Sequence, residues 1–431
     1  MIKILKYGLD NEEIFKRMIP KVDVKDIVKS IIDDVVERGD IALKEYTHKF
    51  DKADLDNLLV TEDEINEAIS LVDKRFLEVL EKAKENIYQF HINQKKTPFE
   101  IKKENGVVMG QKITPLERVG IYVPGGTASY PSTVLMDAIP ALIAGVKEII
   151  MVTPPMPNGK INPLVLAAAK VASVNKIFKI GGAQAIAALA YGTSAVPKVD
   201  KIVGPGNAFV AEAKRQVYGV VSIDMIAGPS EILIISDKYS NPRFTAVDLL
   251  SQAEHDKLAS AILITPDIDF AKEVRKYIEI ELKTLERYDI ARSSIDDYGK
   301  IIITSSIDEA IDIANEIAPE HLELAVNDPF NYLDKIKNAG SIFLGRFTPE
   351  ALGDYMAGPN HTLPTSGSAK FSSPLSVDDF LKKTQYTYFT KDALNSLAYD
   401  IDYFAKKEGL TAHARSAVIR FENEWIFKHQ I

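Results

Sequence analysis

The sequence predicts an α/β protein with two incomplete Rossmann-like, parallel-sheet domains. An N-terminal helical region precedes them and a helical C-terminal tail follows. Three observations predict this. From about residue 117, short apolar runs alternate with helical stretches. The runs end in glycine-rich or proline-rich turns, as strands feeding helices do. The alternation then restarts after Gly228-Pro229-Ser230. On this reading the boundaries are 1–114, 115–229, 230–375 and 376–431.

The elements follow in order. Residues 23 to 95 read as helices: Ile27, Ile31, Val35 and Val36 fit a 3.6-residue period, as do Ile65, Ile69, Phe76, Val79 and Leu80. Thr61-Glu62-Asp63-Glu64 has the form of a capping box. Asn105-Gly106 between short apolar runs marks a hairpin. In the first α/β region, strands are expected at Val119–Val123, Glu148–Val152, Lys176–Ile180 and Lys201–Val203. In the second they are expected at Glu231–Ser236, Ser260–Thr265, Lys300–Thr304 and Ser341–Leu344. Helices lie between them. From about 376 the chain reads as mostly helical.

Composition narrows the chemistry. The chain has 431 residues, enough for two or three domains, with 46% hydrophobic residues and a net charge of −9. An acidic chain without Lys/Arg clusters argues against nucleic acid as a partner. No apolar run approaches the ~18 residues that span a bilayer, and the first residues carry no hydrophobic signal core. Cysteine is absent, which excludes disulfides and a thiol nucleophile. A cytoplasmic location is the expectation.

Histidine is scarce: there are seven. Four stand in short polar segments, namely Ser251-Gln252-Ala253-Glu254-His255, Ala318-Pro319-Glu320-His321-Leu322, Gly353-Asp354-Tyr355 with Pro359-Asn360-His361, and Glu408 to His413. Gln252 and His255 are three apart on an expected helix and share a face, which suits two ligands to one ion. Alone, such a pair is ordinary helix surface. Asp354 and His413 would complete a mixed O/N set suited to zinc or a similar divalent metal. Glu320 and His321 offer a carboxylate to activate water and an imidazole to move protons. Neighbours on a regular element point apart, so joint action needs irregular backbone, which Pro319 favours. A lone Glu-His after a helix stop is otherwise a surface pair. Gly181-Gly182 and Gly204-Pro205-Gly206-Asn207 lie between strand and helix, where ligands bind and helix N-termini favour anions; both also fit plain tight turns. Neither is a G-x-G-x-x-G fingerprint, and no Walker A sequence is present. His48, His91 and His429 lack evident partners and read as surface residues.

Taken together, these segments resemble the histidinol dehydrogenase family. Arg118 to Gly126, Gly181 to Ala190, Val203 to Asn207 and Ala227 to Glu231 strengthen the match, which covers nearly the whole chain and is densest from 115 to 413. The resemblance implies a cytoplasmic homodimer with one zinc ion per subunit, dependent on NAD. It would oxidise L-histidinol through the aldehyde to L-histidine, the last steps of histidine biosynthesis. By motif, Gln252, His255, Asp354 and His413 would bind zinc, with His413 reaching across the dimer. Glu320 and His321 would be the acid/base pair. Ser230, His361 and Glu408 would join the zinc ligands and His321 in holding substrate. Tyr122, Gln184 and Asn207 would line the cofactor site.

The residues agree with that chemistry. The second oxidation needs a hydrated aldehyde, and without cysteine it cannot pass through a thiohemiacetal. Water activated by Glu320 supplies a gem-diol instead. Two other readings stay open: a zinc hydrolase, since metal, Glu and His also suit water attack on an amide, and a family member specialised for a different alcohol. A non-catalytic metal scaffold leaves Glu320-His321 and the glycine loops without a role.

Overall fold

The computed structural model describes residues 1–17, 23–125 and 129–421. His429 and Gly126 lie outside them. The chain forms two compact units: residues 1–95 with 116–380, and residues 96–115 with the chain from 381 on.

The first unit contains two parallel sheets, as expected. A five-stranded sheet runs, in spatial order, Lys176–Lys179, Glu148–Thr153, Arg118–Tyr122, Lys201–Val203, Ser222–Ile223. After their charged first residues, the central strands Arg118–Tyr122 and Glu148–Thr153 are buried throughout and almost wholly apolar, as parallel strands covered on both faces must be. The helix Gly182–Tyr191 is buried from Ala183 through Ala190, so it too needs cover on every side. It receives that cover from the sheet and from the helix Lys25–Arg38. That helix buries Val28, Ile31, Ile32 and Val35, whereas Ile27 and Val36, placed on the apolar stripe by periodicity, are each 54% exposed. The buried stripe follows 28, 31, 32, 35, and Ile27 and Val36 flank it.

The six-stranded sheet runs Lys3–Lys6, Lys300–Ile303, Ser260–Thr265, Glu231–Ser236, His321–Ala325, Ser341–Leu344, all parallel. Two of its strands are not in the sequence reading. Lys3–Lys6 is a short edge strand whose two apolar residues stand between exposed lysines. His321–Ala325 is buried throughout, although His321 and Glu323 interrupt the apolar run that a central parallel strand normally shows.

The N-terminal helices Lys25–Arg38, Asp40–Asp51, Glu62–Leu71 and Lys74–His91 match the helical reading. Both bonds of the capping box at Thr61 and Glu64 are present. His48 is exposed but pairs with Asp54 at 2.7 Å. His91 corrects the surface reading: it is fully buried, with Nδ1 2.8 Å from the Ile87 carbonyl oxygen and Nε2 3.5 Å from the Asn360 amide. It closes the last turn of an amphipathic helix, so it follows that helix's apolar face inward.

In the second unit, the hairpin strands Phe99–Lys102 and Val108–Pro115 are antiparallel, and Leu381–Tyr388 pairs with the latter over eight residues. This strand is not in the sequence reading, which makes the tail from about 376 mostly helical. Its residues are exposed after Leu381 on both faces, so no apolar alternation announces it. Beyond it the tail is helical, with Lys391–Asn395, Ala398–Lys407 and Thr411–Val418. Among the described residues no helix is long and apolar enough to cross a membrane.

Candidate active site and dinucleotide cleft

The polar cluster gathers at the amino-terminal edge of the six-stranded sheet. The helix Ile307–Ile317 stops at Ala318, whose φ of 50° is left-handed, and Pro319 follows. Glu320 then precedes the strand's first residue, His321. This irregular turn lets both neighbours work on one target, the peptide of Glu231 on the adjacent strand. The Glu231 N–H donates to Glu320 Oε2 at 2.9 Å. His321 Nδ1 lies 3.0 Å from the Glu231 carbonyl oxygen. A carbonyl only accepts, so Nδ1 carries the proton and Nε2 keeps its lone pair. Nε2 has no hydrogen-bond partner among the described residues.

Burial shapes the charges. Both residues are buried, Glu320 at 7% and His321 at 4% exposure. Desolvation drops the His321 imidazole to about 4, so it is neutral at neutral pH. Desolvation, opposed by the Glu231 N–H, pushes the Glu320 carboxyl well above its usual range. A buried carboxyl of that kind is a stronger base once ionised, which suits proton removal from water.

Gln252 stands in the last turn of the helix Pro242–Ala253, and the His255 N–H bonds back to the Gln252 carbonyl at 3.2 Å. Gln252 is 1% exposed, and neither its Oε1 nor its Nε2 finds a partner among the described residues. A buried amide with both polar atoms orphaned costs ~1–3 kcal/mol per group unless something else ligates it. His255 is depressed by burial, which the charge of nearby Asp354 opposes. Asp354 sits on the helix Glu350–Tyr355, with Oδ1 3.5 Å from His361 Nδ1. Burial raises its carboxyl, but the His361 partnership outweighs it, and the group is held below the usual range. His361 Nε2 lies 3.4 Å from Thr133 Oγ1. Asn360 ties the same segment to the Met136 carbonyl at 2.7 Å, and Thr362 donates to Asp137 at 3.0 Å. These donors suit a divalent cation: a neutral amide oxygen, imidazole nitrogens and a carboxylate.

Glu350 belongs to the same cluster and is missing from the sequence reading. It is 2% exposed, and its Oε1 stands 3.8 Å from His321 Nε2. His321, Glu350 and Asp354 offer ligand atoms within 4.8 Å of one another. Its signal was available: Glu350 precedes Asp354 by four on one short helix, so both face the same way. Ser230 immediately precedes Glu231, and its carbonyl accepts from the Ser260 N–H at 3.0 Å. Glu408 and His413 are exposed residues of the second unit, at the end of Ala398–Lys407 and in Thr411–Val418.

Tyr122, Gln184 and Asn207 come together around a cavity of about 1110 Å³ at the carboxyl edge of the five-stranded sheet. The Tyr122 hydroxyl accepts from the Gly182 N–H at 3.0 Å. Asn207 caps the helix Ala208–Val217, accepting from the Phe209 and Val210 N–H groups. Gly204 is obligatory: its φ is +109°, and a Cβ there would stand 2.2 Å from the Tyr122 carbonyl oxygen. Buried Lys214 fixes this turn by donating to the Gly204 carbonyl and pairing with Asp224. The buried Gln184 Oε1 lacks a partner among the described residues. Two helix N-termini, a close-approach glycine turn and an orphaned amide oxygen fit a dinucleotide.

Comparisons with known proteins cover nearly the whole chain. The family model described as histidinol dehydrogenase matches residues 16–421. The histidinol dehydrogenase of Clostridium acetobutylicum is 54% identical over 98% of this chain and 99% of its own length. That of Geobacter sulfurreducens is 57% identical over 93% of this chain and 94% of its own. The crystal structure of histidinol dehydrogenase from Elizabethkingia anophelis superposes with a TM-score of 0.93 at 41% identity, covering 98% of each chain.

Proposed function

The chain belongs to the histidinol dehydrogenase family, and on that premise we propose how its residues divide the work of oxidising histidinol to histidine in histidine biosynthesis. Family membership removes the hydrolase reading. We assign NAD to the cavity of Tyr122, Gln184 and Asn207. We assign zinc to Gln252, His255 and Asp354, with His413 of the partner subunit in a homodimer. Ser230 and His361, with Glu408, hold the substrate. A cytoplasmic location accords with a cysteine-free chain.

Zinc held by these residues would supply an anchor for the substrate's amine and imidazole and a Lewis acid for its oxygen. Two molecules of NAD, bound in turn in this cavity, would each take up one hydride. His321 Nε2, aimed into the site with a free lone pair, takes the hydroxyl proton in the first round. Glu320 takes a proton from the water that adds to the aldehyde carbon, giving the gem-diol. His321 takes the diol proton in the second round. The Glu231 peptide holds both residues for these tasks.

The observation that carries the metal assignment is the orphaned, buried Oε1 of Gln252, three residues before His255, whose imidazole lies near the Asp354 charge. Its test is metal removal. A verified metal-free sample is expected to keep its circular dichroism, lose histidinol-dependent NADH formation, and regain it with zinc. Full activity without metal would overturn the assignment. The ligands sit on separate elements of a chain large enough to fold unaided, hence the expected persistence of the fold.

A further inference from the structure

One wall of the cleft is not part of the α/β sheet. The helices Lys25–Arg38 and Asp40–Asp51 face the cavity with Asp26, Ile27, Tyr46, Lys49, Phe50 and Asp51. Ile27 and Phe50 are 54% and 50% exposed despite being apolar. The Tyr46 and Phe50 rings stack, with centroids 5.7 Å apart and planes 6° apart. This is a surface for a flat ring.

Asp51 is the odd residue of this wall. Its Oδ2 is buried and has no hydrogen-bond partner among the described residues. Burial alone pushes its carboxyl up to about 6. A carboxylate in that position needs donors, and a vicinal diol presents two. The described charged residues lining the cavity are Asp26, Asp51 and Lys49, and the Lys49 ammonium lies over the Phe50 ring at 5.3 Å. Such a wall accepts hydroxyls and repels a phosphate.

The position also says which half of a dinucleotide belongs here. The nicotinamide has to reach substrate beside His361. The cavity's link to that side is Ser129, four residues before Thr133, whose hydroxyl meets His361. The helix pair packs instead on Gly182–Tyr191, and Lys25–Arg38 also on Ala208–Val217.

We propose that the N-terminal helix pair holds the adenosine half of the cofactor, with the base against Ile27 and Phe50 and the ribose diol on Asp51, so that Asp51 selects NAD over NADP. The proposal rests on the reading that this cavity binds a dinucleotide.

Binding, measured by calorimetry on the full chain, tests it with four probes: NADH, NADPH, ADP-ribose and NMN. Wild type should bind NADH well ahead of NADPH. Asp51→Asn should weaken NADH and ADP-ribose by roughly ten-fold or more, the scale of a hydrogen bond to a charged group, with NMN unchanged. The NADH/NADPH preference should narrow. Phe50→Ser, at a half-exposed position, should likewise weaken ADP-ribose and spare NMN, and serves if Asp51→Asn fails to fold. Unchanged NADH and ADP-ribose affinities in both folded variants would overturn the proposal. So would an equal loss for NMN, which would place the nicotinamide half at this wall. If wild type bound neither NADH nor ADP-ribose, the dinucleotide reading itself would fall.

Discussion

Glu231 contributes to the site through its peptide rather than its chemistry. Its N–H fixes Glu320 and its carbonyl fixes the tautomer of His321. Its carboxylate is used elsewhere, with Arg17 at 3.4 Å and the Ser366 N–H at 3.2 Å. His361 is seated by a different device. Asp137 is fully buried behind it, and burial followed by the Asp224 charge pushes the Asp137 carboxyl up to about 7. Its ordinary value is 3.8. Between those two values the folded chain holds a proton that the unfolded chain has released. Stability therefore falls as pH rises through the window. Melting wild type and Asp137→Asn at pH 4.5 and 7.5 checks the sign. The wild type should lose more stability over that interval than the variant, and equal losses would mean that Asp137 carries no such proton.

At the scale of elements, the glycine turn between Lys201–Val203 and Ala208–Val217 has no tolerance. Gly204→Ala adds both a positive-φ cost and a clash with the Tyr122 carbonyl. Strained backbone of this kind costs of order 1–3 kcal/mol. Gly219, at φ +101° with nothing within 4 Å, offers the control. Denaturant unfolding should show Gly204→Ala losing clearly more than Gly219→Ala. Comparable losses would mean the close approach is not a constraint. Much of this level was legible in the sequence. The βα alternation, the capping box at Thr61 and the hairpin at Asn105-Gly106 announce themselves because local pattern and final environment agree. Of the motif segments, those holding His255, His321, Asp354 and His361 lie close together in the first unit. What was illegible had tertiary causes. His321–Ala325 hides as a strand because His321 and Glu323 are buried polar groups with partners from other strands and helices. His91 reads as surface because its partners, an acceptor on its own previous turn and the Asn360 amide 269 residues away, show no local pattern. Glu350 escaped because its motif, unlike that of Asp354 four residues on, contains no histidine.

At the scale of the whole molecule, Glu408 and His413 stand on the second unit, while the other proposed ligands stand on the first. A homodimer with exchanged tails predicts complementation: co-expressed His413→Ala and His255→Ala chains should regain activity, since one site per mixed dimer then carries no defect. Verified mixed dimers that stay inactive would place His413 in its own chain's site. On the proposed mechanism a cysteine-free chain performs both oxidations, with Glu320 activating water for the second and His321 taking protons in both. Single-turnover formation of NADH, started separately from histidinol and from the aldehyde, tests it most directly. Glu320→Gln should leave the alcohol step near wild type and slow the aldehyde step by ~100- to ~10,000-fold, while His321→Asn should slow both. Equal losses in the two steps for Glu320→Gln would contradict the account.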